Sequence, residues 1–321
     1  MTTKQIYDLA LKMGIDNDLR GRAQVMKNLA RVKKNYSKLS ATDRANFDKD
    51  RLTNPYPDSL ILVDNHQKQI KKIMVGIDME TPELLLADHL GDIDLVMSHH
   101  PEGPALADLA GVMSLQAQIV SNYGVPINVA EDIDRPRIAE VARALSPINH
   151  NRAVDAAKLL GLDFMCVHTP ADNLGATFME NIIKKKSKDI ETVGDIMELL
   201  LTMPEYQEAH RRKAGPMIFN GDENSSCGRV VVSEFTGGTN GSKDIYEKMA
   251  HSGVGTIISM HMSEAHRTEA KKHHLNVIVA GHMASDSLGL NLFLDELEKK
   301  GLEIVPVSGL IRVQRFKNKK S

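Results

Sequence analysis

The sequence predicts an α/β protein built of two related halves with largely parallel sheets, preceded by a helical N-terminal extension. Two observations lead there. From Ile73 onward, short apolar runs alternate with helical segments, the pattern of βα units that feed a parallel sheet. The stretches DIDLVMSHHPEGPALADLA and GVGTIISMHMSEAHRTEA, far apart in the chain, also repeat one order of strand, histidine and helix.

The apolar runs are IMVGIDM, DLVMSHH, VPINVA, LDFMCVH, GRVVVSEF, VGTIISMH, LNVIVAGH and LEIVPV, each read as a strand. Helix starts support the alternation. Thr81-Pro82-Glu83 offers an N-cap followed by proline at the first helical position, and Thr192 precedes the periodic segment from Val193 to Leu201. These signals divide the chain into a helical extension over 1–57, a first α/β half over 58–172, a helical connector over 173–227, a second α/β half over 228–311 and a basic tail over 312–321. The extension reads as polar helices appended to the main fold, with Ile6, Leu9, Ala10 and Met13 on one face. The connector, which carries Lys184-Lys185-Lys186 and Arg211-Arg212-Lys213, has no strand signal.

Composition removes several classes of function. A chain of 321 residues that is 42% hydrophobic can bury a large core. Its net charge of -2, from 40 basic and 42 acidic residues, gives no overall pull toward nucleic acid or acidic lipid. With no tryptophan and 4% aromatic content, it has few platforms on which bases could stack. Cys166 and Cys227 are its only cysteines and have no CxxC spacing, so neither a disulfide framework nor a thiolate zinc site is suggested, and a reducing compartment, the cytoplasm, is expected. Charges interrupt the apolar residues between Met1 and Arg20, and nothing approaches the roughly 18 unbroken apolar residues of a membrane span.

The histidines carry the chemistry. Four of the runs end at one: His99 and His100, His168, His261 and His282. In an open parallel sheet the carboxyl ends of strands lie along one edge, where ligands bind, so these rings can converge on a metal site in the cleft between the halves. A single strand-end histidine is more often a hydrogen-bonded structural residue; several at equivalent ends favour a site. Each has a carboxylate near it: Glu102, Asp172, Glu264 and Asp286. Mixed imidazole and carboxylate donors suit zinc, iron, manganese or nickel better than magnesium or calcium. A helical turn starting at His282 brings Asp286 to the same face. The neighbours His99 and His100 diverge on a regular strand and could each serve a different ion. The turn FTGGTNGS, with Gly237, Gly238, Thr239, Asn240 and Gly241, joins a strand to a helix and reads equally as a packing turn or as an anion cradle for a cofactor or substrate.

At SHHPEGP, VHTPADN and GHMASD, in that order, the sequence resembles the dinuclear-metal-centre family labelled GTP cyclohydrolase I type 2 homologues, also known as Nif-three-like proteins, over roughly residues 58–310. The resemblance implies that His99, His100, Asp172, His282 and Asp286 hold two divalent metal ions, and that subunits assemble into trimers or hexamers. Two departures stand out. Asp286 occupies a position that is usually glutamate in the family, and Glu102 one that is usually apolar.

Two metals about 3.5–4 Å apart lower the pKa of a shared water and stabilise the attacking and leaving oxygens of a hydrolysis. The expected activity is therefore that of a metal-dependent hydrolase acting on a small molecule: a phosphoester, a cyclic amide or a nucleotide. Glu102 or Glu264 is the candidate general base. A reading from a different class is a non-catalytic metal-binding scaffold or regulator that contacts protein or RNA through the N-terminal helices and the basic segments, although such charge runs are usually solvated faces.

Overall fold

The computed structural model describes residues 1–65 and 69–316. The chain starts with α1 (Thr3–Asp16), α2 (Arg22–Tyr36) and α3 (Ala41–Asn46). The first half follows as β1 (Ile61–Val63), β2 (Lys72–Gly76), α4 (Thr81–Leu90), β3 (Leu95–Ser98), three short helices α5 (Gly103–Ala107), α6 (Leu109–Val112) and α7 (Ser114–Asn122), then α8 (Ile127–Leu145), α9 (Arg152–Leu160) and β4 (Asp163–Cys166). Helix α10 (Thr169–Lys186) leads through α11 (Val193–Leu200) and α12 (Pro204–Arg211) to the second half: β5 (Met217–Asn220), β6 (Arg229–Val232), α13 (Ile245–His251), β7 (Val254–Ser259), α14 (Glu264–Lys272), β8 (Asn276–Val279), α15 (His282–Lys299) and β9 (Glu303–Pro306).

The two halves repeat one topology. The sheets run β1-β4-β3-β2-β9 and β5-β8-β7-β6. Three parallel strands of each half, β2, β3 and β4 or β6, β7 and β8, are flanked by an antiparallel strand, β1 beside β4 and β5 beside β8, and β9 adds a fourth parallel strand to the first sheet. Their central strands are apolar on both faces because both faces are covered. Ile73, Val75, Leu95, Met97 and Met165 join the main core, whereas Met74, Val96 and Phe164 pack with Leu84 and Ala87 of α4 and Ala153 and Ala157 of α9. In the second half Val277 and Ile257 face the main core, and Ile278 and Ile258 a separate one with Ile196, Leu200 and Tyr206.

Three expectations change. The run Val125–Ala130 is no strand: Pro126 caps α8, which starts at Ile127, because proline cannot donate to a ladder but fits the entry to a helix. The second half, 228–311, does not close on itself, since β9 leaves it and pairs in parallel with β2, Ile73 opposite Ile304. The connector, 173–227, contains a strand, β5, at a sheet edge; its apolar run Met217-Ile218-Phe219 is only three residues long, too short to stand out beside the helical segments before it. Thr192 does cap its helix, accepting from the Asp195 amide.

The N-terminal segment is built into the fold. Ile6, Tyr7, Ala10 and Leu11 of α1 are core residues, and Thr3 Oγ1 donates to Asp163 Oδ2 at 2.7 Å. Tyr56 OH donates to Asp18 Oδ2 at 2.8 Å, and Asn173 Nδ2 of α10 donates to Tyr56 OH at 3.1 Å. At the other end, Arg315 forks onto Glu205 with both bonds at 2.7 Å, and Arg312 pairs with Asp295 at 2.6 Å, so these two residues of the basic tail are anchored; 317–321 lie outside the described residues. No helix among the described residues is long and apolar enough to cross a membrane.

Helices α10 and α15, each following the last parallel strand of its half, cross at two glycines. A Cβ on Gly175 would lie 3.4 Å from Gly289 Cα, and one on Gly289 would lie 2.3 Å from the Ala171 carbonyl oxygen. Because that neighbour is backbone, Gly289→Ala is expected to destabilise the protein by about 1–3 kcal/mol, the usual cost of overpacking, read as a lower urea midpoint; an unchanged midpoint would contradict this packing.

Candidate metal centre

The first histidine pair is turned by its own strand. His99 and His100 still donate their amides to the Gly76 and Ile77 carbonyls at 2.9 Å, while Ser98 Oγ folds over to donate to the His100 carbonyl at 2.7 Å. His99 is fully buried, and its Nδ1 donates to the Val167 carbonyl at 3.0 Å, which in the neutral ring leaves Nε2 as the acceptor. His100 Nδ1 is held by Asp78 Oδ1 at 2.6 Å, and His168 Nδ1 by Asp58 Oδ2 at 2.8 Å; that carboxylate also accepts from Thr169 Oγ1 at 2.6 Å. A partner on Nδ1 fixes each ring so that Nε2 projects into the cleft, the arrangement in which histidine binds metals.

The carboxylates come from the starts of the crossing helices, Asp172 in the first turn of α10 and Asp286 just after the first turn of α15. Asp172 offers Oδ1 to His99 Nε2 at 3.2 Å and Oδ2 to His168 Nε2 at 3.6 Å. Asp286 offers Oδ1 to His99 Nε2 at 3.5 Å and Oδ2 to His100 Nε2 at 3.4 Å and to His282 Nε2 at 3.5 Å. Despite this proximity, His99 Nε2, Asp172 Oδ1 and both oxygens of Asp286 are buried and make no hydrogen bond within the protein. Buried polar atoms are almost always satisfied. A group of mutually facing donor atoms without partners suits a cation. Three sets lie close enough to hold one: His99, Asp172 and Asp286; His100, His282 and Asp286; and His99, His100 and His168.

The five expected ligands, His99, His100, Asp172, His282 and Asp286, are thus brought together, with His168 beside them. Of the other candidates, Gly238 and Thr239 of the glycine-rich turn line the same cleft, whereas Glu264 and Glu102 do not. Glu264 is exposed at the start of α14 and pairs with Arg267 at 2.5 Å. Glu102 stands at the start of α5, where burial and then the Glu80 charge push its carboxyl up to about 7. In the glycine-rich turn, a Cβ on Gly237 would lie 2.8 Å from Leu115 and Gln116 side chains and one on Gly241 2.6 Å from Gln116 Oε1, so close packing on α7 accounts for both. The Ser242 amide already donates to Asp134 Oδ1 at 3.1 Å.

Two features escaped the sequence reading. The pattern H-x-x-x-D-x-L-G occurs twice, His168 to Gly175 and His282 to Gly289, and marks the equivalent helices with their carboxylates and crossing glycines; a comparison of the two halves at this spacing would find it. The second is Glu234, which lines the cleft with His168, Asp172, His261, His282 and Asp286 and carries no motif.

The electrostatics follow from burial opposed by close charges. Burial disfavours charged His99 and His100, yet Asp286 together with Asp172 raises His99 well above the ordinary value, and Asp286 with Asp78 raises His100 to about 9. Burial likewise opposes ionisation of Asp286, but His99, His100 and His282 hold it well below the usual carboxylate range. Burial and then neighbouring His282 push His261 down to about 4. For metal-free protein, the histidine contribution to stability is complete below about pH 6.5 and is lost as pH rises through about 9 at His100. The Asp286 contribution is present above about pH 3.9 and is lost as pH falls. His261 acts in the opposite sense, its contribution being present above about pH 6.5 and lost as pH falls toward about 4. The urea midpoint of chelated protein is therefore expected to be highest near about pH 6.5 and to fall toward pH 9; a midpoint that climbs over that upper range would contradict these pairings.

No family model and no curated protein matches the chain. Among solved structures, a NIF3 superfamily protein from Sphaerobacter thermophilus is 27% identical, with 97% of this chain and 99% of that one covered at a TM-score of 0.76. Reduced HcgD from Methanocaldococcus jannaschii shares the fold at 15% identity, over 77% of this chain and 87% of that one, with a TM-score of 0.51. In its paired α/β halves and along nearly its whole length, the chain shares the fold of the NIF3 superfamily protein from Sphaerobacter thermophilus.

Proposed function

We propose that the chain is a metal-dependent hydrolase whose cleft takes two divalent ions, zinc, iron or manganese. The observation that supports this most is the position of Asp286. One of its oxygens belongs to the group with His99 and Asp172 and the other to the group with His100 and His282, so a single carboxylate would bridge two sites. Two such ions would act as Lewis acids and lower the pKa of a bound water.

The chain's own residues prepare the cleft for this. Asp78, Asp58 and the Val167 carbonyl fix the ring orientations before any ion arrives, which limits reorganisation on binding. His261 and His282, in edge contact with ring centroids 4.6 Å apart, line the mouth of the cleft. The space suits a small electrophile such as a phosphoester, a cyclic amide or the ring of a nucleotide. The two cysteines, buried and unpaired, fit the cytoplasm, and a trimer or hexamer is the assembly we expect.

Because raised imidazole pKa values mean that ions compete with protons, zinc affinity of the chelated protein should rise from about pH 6.5 toward about pH 9 with release of protons. Calorimetry in buffers of different ionisation enthalpy reads this directly, and a pH-independent affinity would contradict it. Reconstituted protein should hold two ions per chain by elemental analysis, and should hydrolyse members of a phosphoester and nucleotide panel. His100→Ala and Asp172→Ala should abolish both second-ion uptake and turnover. Turnover that survives both substitutions would exclude this centre as its source, and full metal uptake without turnover would leave the scaffold reading in its place.

A further inference from the structure

Glu234 stands two residues beyond the end of β6, the place that Asp78 holds beyond the end of β2 in the other half. Asp78 grips a metal-cleft histidine directly, whereas Glu234 is turned differently. Its φ of 59° puts a non-glycine residue in the left-handed region, a strain of the kind that gathers at functional sites. One of its oxygens is held twice: Oε2 accepts from Asn240 Nδ2 at 2.8 Å and from Tyr246 OH at 3.1 Å. Oε1 takes no hydrogen bond among the described residues, and Glu234 shares the cleft wall with His168, Asp172, His261, His282 and Asp286. The same Asn240 accepts from His261 Nδ1 at 2.9 Å, so one amide sets both the carboxylate and the adjacent ring.

We propose that Glu234 is the proton-transfer residue of the cleft. The proposal rests on the hydrolase reading. As the water oxygen bonds to the electrophilic phosphorus or carbon, one water proton passes to Glu234 Oε1; as the bond to the leaving group breaks, the carboxylic acid returns that proton to the leaving atom. Glu234 fits this role better than the two glutamates nearest the histidine motifs, since Glu264 is neutralised by Arg267 at the surface and neither Glu264 nor Glu102 lines this cleft. Burial also pushes the Glu234 carboxyl up, toward the range where it can both take and give a proton.

The test compares wild type, Glu234→Gln, Glu102→Gln and Tyr246→Phe, each loaded with zinc for activity on bis(p-nitrophenyl) phosphate and on the esters found in the panel, and with cobalt(II) for visible spectra. Glu234→Gln should keep the wild-type metal content and lose about 100-fold or more in rate. The pH midpoint of its cobalt spectrum, which senses charge beside the ions, should move down by about one unit. Tyr246→Phe, which keeps the carboxylate but frees Oε2 of one donor, should lose less rate. An unchanged rate with an unmoved cobalt midpoint in Glu234→Gln, or a loss found in Glu102→Gln instead, would overturn the proposal while leaving the hydrolase reading intact. If fully loaded wild type hydrolyses nothing, the hydrolase reading fails, and with it the role of Glu234 in turnover, whatever the cobalt midpoint does.

Discussion

The close crossing of α10 and α15 is the constraint on which the centre depends. Each helix carries a carboxylate near its start, Asp172 in the first turn of α10 and Asp286 one turn into α15, and a glycine three residues later on the same face. Because Gly175 and Gly289 let the backbones touch, Asp172 and Asp286 are carried in toward the same imidazoles, one from each half. A side chain at Gly289 would push the helices apart and pull the carboxylates away from His99. The packing and the chemistry are thus one feature, fixed where the pseudo-repeated halves meet.

That convergence is costly without compensation. Two buried carboxylates close to one another disfavour ionisation, and burial disfavours charged imidazole as well. The protein offsets this with a ring of supports outside the cleft: Asp78 and Asp58 hold His100 and His168, while the Val167 carbonyl holds His99. What these supports leave unsatisfied faces inward, on His99, Asp172 and Asp286. The unmet bonding capacity is gathered at one spot instead of being spread through the core.

Much of this was legible in the sequence because strand-end position and residue type are local facts. His99, His100, His168 and His282 sit at the ends of apolar runs, and Asp172 and Asp286 follow one helical turn after a histidine. What was not legible depends on partners distant in the chain. β9 reads like any other short apolar run, and nothing in Glu303–Pro306 says that its neighbour is β2 and not a strand of its own half. The segment Val125–Ala130 is apolar enough for a strand, and only the helical continuation through Leu145 and the proline at its entry decide otherwise. Glu234 was invisible because its significance lies in a backbone angle and in partners such as Tyr246, which no spacing announces. The N-terminal helix looked separable because its polar face dominates its composition, while its small buried face meets Pro170 at Gly14.

The crossover of β9 bears on how the chain acquires its shape as it is made. The sheet that bears His99 and His100 cannot be finished until residues 303–306 have emerged, so until then β2 is an open edge with unpaired backbone groups. The halves are therefore not two domains that mature in succession, the first complete before the second exists. A nascent chain that already displays its first histidine pair lacks both α15, with Asp286 and His282, and the strand that seals the sheet beneath them. Closing the sheet and bringing the donors together therefore coincide late in synthesis.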